Sequence, residues 1–179
     1  MCARSVEVMT MAQSKASAMP DTSREPARHG SVESLVPLEE RATFLVHRIN
    51  AKLALSCNPA FAPLDLDLYS SRILVALREH TQLRVGELVD LMVLPQSTIS
   101  HQVKRMERKG YLKRTRSEVD NRTVEVTLTE LGKETAELCN KMSLNVYNAA
   151  LKDFSTQELD QFRVYLKRLY DSIPPTIAE

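Results

Sequence analysis

The sequence predicts a mainly α-helical chain that carries one small β-hairpin. Several stretches repeat apolar residues at alternating steps of three and four, the spacing of one helix face. A single stretch, Thr123-Val124-Glu125-Val126-Thr127-Leu128, alternates apolar and polar residues instead, as a half-buried strand does. Four glycines and no tryptophan among 179 residues leave little material for a turn-rich sheet fold.

Residues 1–34 have no sustained period and are expected to form a disordered tail. Four cations there (Arg4, Lys15, Arg24, Arg28) balance four anions (Glu7, Asp21, Glu25, Glu33), so the tail is not a basic arm. Residues 35–64 read as a first helix and a connector. Leu38, Ala42, Leu45, Ile49 and Leu53 share one face, and the helix is expected to run to about Ser56, where Asn58-Pro59 and Pro63 interrupt it. A second helix spans Leu66 to His80. Leu68, Ile73, Leu74, Val75 and Leu77 spread around it, which implies burial on more than one side.

Val85 to Met92 reads as a short third helix with Val85, Leu88, Val89 and Met92 inward, and Val93-Leu94-Pro95 as a turn. A second short helix follows, ending at Gly110. Pro95 suits its first position, where a missing N–H costs nothing. Ile99, Val103 and Met106 form its apolar back, and Gln96, Ser97, Ser100, His101 and Lys104 its polar front. Two short helices joined by a tight turn, the second one basic, make a helix-turn-helix. Tyr111–Arg114 and Thr123–Leu128, joined by the polar residues 117–122, add a hairpin wing and complete a lobe over residues 65–128. Residues 129–173 are expected to be two helices of a dimerisation region. Thr129 caps the first, which carries Leu131, Leu138, Met142 and Val146. Ser155 and Glu158 form a capping box for the second, whose Leu159, Phe162, Leu166, Leu169 and Ile173 make a heptad-like seam. Pro174-Pro175 ends it, leaving 174–179 as a tail.

A net charge of +1 hides a local concentration. Between Pro95 and Arg116 lie seven cations (Lys104, Arg105, Arg108, Lys109, Lys113, Arg114, Arg116) against one anion, Glu107. One basic segment on a balanced chain is the footprint of a polyanion binder. Cys2, Cys57 and Cys139 are odd in number and match no disulfide or metal spacing, and His29, His47, His80 and His101 are scattered. No metal and no cofactor are expected. No nucleophile–base constellation or phosphate loop is present, so an enzyme is not expected. There is no apolar run of membrane-spanning length and no apolar leader segment, which points to a cytoplasmic protein.

With Asp120-Asn121-Arg122 in the wing and Leu128-Thr129-Glu130-Leu131-Gly132 leaving it, the chain resembles the MarR family of bacterial transcription regulators. The resemblance runs from about Pro37 to Ile173, with its most specific part at Leu94–Gly132. It implies a homodimer that binds a pseudo-palindromic operator in double-stranded DNA, as a repressor released by a small effector such as an aromatic acid or thioester. Gln96, Ser97, Ser100 and His101 are expected to reach base edges, with Thr98 a weaker candidate. Lys104, Arg105 and Arg108 are expected at phosphates. Arg122 matches the minor-groove position, and Asp120 would shape the wing or orient an arginine. Family pockets lie between the dimer helices and the lobe, which nominates His47, Tyr69 and Arg72 for the effector. Two alternatives stay open: a winged-helix protein–protein module, and a redox sensor using Cys57 or Cys139.

Overall fold

The computed structural model describes residues 36–116 and 123–174. Two compact units divide the chain, Met1–Phe44 and Leu45–Glu179. In the first, a 3-10 turn (Leu38–Glu40) follows Val36, whose carbonyl accepts a hydrogen bond from Arg41 Nε at 3.1 Å. Leu38 therefore precedes the first helix instead of starting its apolar face.

Helix α1 (Ala42–Phe61) runs past the expected break and holds Pro59 in its last turn. A proline there forfeits one hydrogen bond. The helix end is held by Phe61, which is fully buried, and by Asn58, whose Oδ1 accepts from Leu68 N at 2.9 Å. A 3-10 turn (Ala62–Leu64) leads to α2 (Leu68–His80). Helix α2 begins two residues later than the periodicity suggests, because Asp67 caps it. Its carboxylate accepts from Ser70 N at 2.8 Å, and Ser70 Oγ accepts from Asp67 N at 2.8 Å.

Helices α3 (Val85–Met92) and α4 (Gln96–Arg108) form the helix-turn-helix. Pro95 is the N-cap of α4 with extended backbone (ψ 141°), one residue outside the helix position expected for it. Strands β2 (Leu112–Arg116) and β3 (Val124–Leu128) pair antiparallel from Leu112↔Leu128 to Arg116↔Val124. The wing is not a lone hairpin. Strand β1 (Gln82–Arg84) joins the other edge of β3, giving the order β1-β3-β2. Three residues are too few for an alternation to show in the sequence. Helix α5 (Glu130–Leu151) packs along α2, and α6 (Thr156–Ser172) follows with the expected Ser155–Glu158 capping box.

The fold is mainly helical, a winged helix-turn-helix with a three-stranded antiparallel sheet. Phe61, Ile73, Leu74, Leu77, Leu88, Ile99, Val103, Met106, Val126 and Cys139 are closed from solvent in its core. Helix α5 faces that core with Gly132, Thr135, Ala136 and Cys139. Leu131 and Leu138, apolar positions of the same helix, are 50% and 41% exposed. Small residues let α5 approach α2 closely, so its large leucines project the other way. Among the described residues, no helix is long and apolar enough to cross a membrane, and no cluster of three metal-ligating side chains occurs.

Candidate nucleic-acid interface

Helix α4 carries four rows of side chains, each turned toward a different neighbour. Ile99, Val103 and Met106 are buried under the lobe. Opposite them on the wheel, Ser97, His101, Lys104 and Arg108 recur at steps of four, three and four, and all are exposed. Gln96, Ser100 and Lys104 line a cleft of about 570 Å³ whose other walls include Arg84 and Glu87 at the α3 end and Arg114 and Thr123 in the wing. Thr98, Gln102, Arg105 and Lys109 fall on the remaining flank. Thr98 is exposed, whereas Arg105 and Lys109 reach the α1–α2 corner.

The seven cations of the basic segment separate into two groups. Arg105 Nη2 lies 3.8 Å from Asp67 Oδ2, Lys109 Nζ is 2.9 Å from Asp65 Oδ2, and Arg114 Nη2 is 2.6 Å from Glu107 Oε2. Lys104, Arg108, Lys113 and Arg116 make no ion pair among the described residues. Arg105 therefore departs from its expected place: it bonds back to the protein, while Lys104 and Arg108 face outward. The hydrogen bond from Arg114 holds the Glu107 carboxyl below its ordinary range, and Lys109 does the same for Asp65. Partial burial works to raise the Asp67 carboxyl, but the hydrogen bonds from Ser70, with the charge of Arg105, bring it below its ordinary value.

Where the wing meets α5, the Thr-x-x-Gly part of the motif has a mechanical explanation. Thr129 Oγ1 accepts from Gly132 N at 3.0 Å, capping α5, and donates to Gly110 O at 2.6 Å. A β-carbon at Gly132 would overlap the Tyr111 carbonyl oxygen, so only glycine lets the first turn of α5 touch the start of the wing. Tyr111 also donates its hydroxyl to Leu64 O at 3.1 Å, tying the wing to the α1–α2 corner. Gly110 itself sits at φ 79°, the conformation a helix stop requires. Asp120 and Arg122 lie outside the described residues.

A second, apolar cleft of about 630 Å³ opens among α1, α2, α5 and α6. Arg72 lines it; His47 and Tyr69 do not. Tyr69 instead joins a small network, in which Asn50 Nδ2 donates to Tyr69 Oη at 3.2 Å and Arg72 Nη1 donates to Asn50 Oδ1 at 3.4 Å. Cleft residues that the sequence did not single out include Glu79, His80, Asn140 and Tyr147. Glu79 and His80 come from α2 and Asn140 and Tyr147 from α5, and no local spacing signals that the two pairs converge. Cys57 is on the cleft wall but 4% exposed, and Cys139 is fully buried, with burial pushing its thiol up to about 11.

A profile of the MarR family matches residues 69–124, from α2 into the wing. The transcriptional regulator SarZ of Staphylococcus epidermidis is 32% identical over 76 residues, which are 42% of this chain and 51% of SarZ; the chain thus spans about half the length of that relative. The uncharacterized HTH-type transcriptional regulator YxaD of Bacillus subtilis is 33% identical over 105 residues, 59% of this chain and 73% of YxaD. Among solved structures, a MarR/EmrR family transcriptional regulator from Acinetobacter sp. ADP1 superposes with a TM-score of 0.70 at 26% identity, covering 76% of this chain and 96% of that one. A MarR mutant from E. coli complexed with operator DNA shares the fold, with a TM-score of 0.65 at 22% identity over 78% of this chain and 97% of that one. With the winged helix-turn-helix, the Thr129–Gly132 joint and a relative matched over most of its length, this chain belongs to the MarR family.

Proposed function

We propose that the chain is a homodimeric, sequence-specific DNA-binding transcription regulator, a repressor released from a pseudo-palindromic operator by a small effector. The observation that carries this reading is the outward row of α4. Ser97 and His101 stand near the helix start with Lys104 and Arg108 behind them, all exposed, opposite a fully buried apolar row. Such a helix enters a major groove with hydrogen-bonding groups toward base edges and cations toward phosphates. Gln96 and Ser100 approach the same groove from the cleft side, with Thr98 at its margin. That an E. coli neighbour of the same fold is complexed with operator DNA supports the DNA-binding reading. Arg122, assigned through the wing motif, would enter the flanking minor groove.

The exposed apolar seam of α6 supports a homodimer, which would set two α4 helices about 34 Å apart, one turn of DNA. The apolar cleft bordered by Arg72 suits an aromatic acid or its thioester, its carboxylate or carbonyl toward the guanidinium.

Selection of binding sites from random duplex DNA tests this, repeated with candidate aromatic acids and thioesters. The expected result is an enriched inverted repeat whose binding weakens steeply with salt and on adding an effector. Arg122→Ala should lower operator affinity by about tenfold, one lost charged contact. If no sequence is enriched, the reading is wrong. Binding to a protein partner that is insensitive to salt would favour the interaction-module alternative.

A further inference from the structure

Arg105 is counted with the DNA-facing cations by its sequence position, and the structure turns it elsewhere. Its row lies about a quarter turn from the outward row, facing the N-terminal end of α2. Arg105 Nη2 is 3.4 Å from Ser70 Oγ and 3.8 Å from Asp67 Oδ2, with 30% of the side chain exposed. Its Nε is buried without a hydrogen-bond partner, as is Gln102 Oε1 in the same row. At the next position of that row, Lys109 reaches Asp65, whose backbone adopts φ 54°.

The corner that Arg105 grips is rigid. Asp67 is the N-cap of α2 and is locked to Ser70 in both directions; the next residue, Leu68, bonds to Asn58 of α1. Moving the guanidinium out to a phosphate would give up both its contact with Asp67 and its hydrogen bond to Ser70.

We propose that Arg105 is a positioning residue for DNA reading. It fastens α4 to the capped end of α2 and so sets the angle at which Ser97, His101 and Lys104 meet the groove, without touching DNA. This rests on the DNA-binding reading above. Base contacts depend on close bidentate geometry, so a small rotation of α4 loses discrimination. Phosphate attraction depends on charge and tolerates the rotation.

The test titrates the full-length protein and its Arg105→Gln, Lys104→Gln, Asp67→Asn and double Arg105→Gln/Asp67→Asn variants. Two duplexes are used, the operator selected by the wild type and a scrambled duplex, across a range of salt. Arg105→Gln is expected to weaken operator binding by about tenfold. It should leave scrambled-duplex binding and the salt slope unchanged. Lys104→Gln should lower the salt slope by about one on both duplexes. Asp67→Asn, which keeps a capping side chain, should reproduce the Arg105→Gln loss, and the double variant should lose no more than either alone.

A salt slope that falls in Arg105→Gln as it does in Lys104→Gln would overturn the proposal. So would additive losses, or operator binding unaffected by either change. If Arg105→Gln does not fold, Asp67→Asn alone decides by the same readouts. A wild type that enriches no operator would instead overturn the DNA-binding reading, and this inference with it.

Discussion

Helices α4 and α6 are both amphipathic by sequence, and the chain treats them in opposite ways. Helix α4 buries Ile99, Val103 and Met106 completely, and its flanks are fixed by ion pairs to the α1–α2 corner and to the wing. Helix α6 buries no residue at all. Phe162 and Leu166 of its seam are 38% and 37% exposed, and Ile173 is 60% exposed. Tyr165 and Tyr170 widen the same face, at 53% and 59% exposed. One helix finds its apolar partner inside the chain, and the other keeps a largely exposed apolar face, on which Phe162 meets the Phe154 ring and borders the apolar cleft. The first kind of amphipathicity builds the reading head. The second is left for an association that the homodimer reading assigns to another copy of this chain.

The sharpest way to break that contrast is to charge the α6 seam. Phe162→Asp combined with Leu166→Asp should leave the fold of one chain intact, since neither side chain is buried in it. In a homodimer each charge would be enclosed without a partner, a cost of about 3–5 kcal/mol per uncompensated group, so a monomeric mass and at least a hundredfold loss of operator affinity are expected. Light scattering and operator titration check this. An unchanged mass would mean that the exposed seam serves no self-association.

The next largest effect lies in the α4–wing half. Gly132→Ala drives a β-carbon into a backbone carbonyl that anchors both the wing and the α5 cap. A main-chain atom cannot swing aside as a side chain can, so a loss of about 3 kcal/mol is expected in a denaturant titration. A loss below about 0.5 kcal/mol would mean that the joint is looser than its geometry, since surface substitutions already reach that size.

These elements also divide what was legible in the sequence from what was not. The α4 core row and the β3 alternation are local periodicities, and they were readable. So were the Thr129 and Ser155 caps, whose partners lie three residues away. Strand β1 was not readable, because three residues carry no period and its identity comes from pairing with β3. The inward face of α5 is not legible from its large apolar residues, because the α2 contact selects small ones. Arg105 was grouped with the phosphate contacts because its neighbours on the chain are cations; Asp67, which redirects it, is remote in sequence. Of the three residues nominated for the effector, only Arg72 lines the cleft, since helix assignment fixes a segment but not which way each side chain turns.

A smaller effect is expected at the turn between α3 and α4. Val93 sits at φ 50° and ψ 47°, a left-handed conformation that a β-branched side chain adopts at a cost. It is 65% exposed, so little packing opposes its removal. Val93→Gly should stabilise the protein by about 1 kcal/mol, the relief of backbone strain less the added flexibility of the unfolded chain. A thermal midpoint raised by about 2–4 °C would show it. A lowered midpoint would mean that the Val93 side chain makes contacts worth more than the strain.

The smallest effect separates ionic from apolar fastening within the α4 half itself. Glu107 and Arg114 join α4 to β2, with side chains 33% and 32% exposed. Solvent screening at that exposure limits the pair to about 0.5 kcal/mol, so Glu107→Gln should cost that much at neutral pH. The folded carboxyl titrates below its ordinary value of 4.5, chiefly because Arg114 hydrogen-bonds to its charged form. The folded state therefore favours the ionised carboxylate more than the unfolded chain does. Its contribution is complete above the ordinary value and disappears as the pH falls through the lowered folded one. The stability gap between wild type and Glu107→Gln should stay level from neutral pH down to about 5 and close in more acid solution. Added salt should narrow the same gap at neutral pH, because screening weakens the pair but not the buried contacts of Ile99, Val103 and Met106. A gap that persists unchanged at low pH and high salt would mean that Glu107 holds the wing by shape and not by charge.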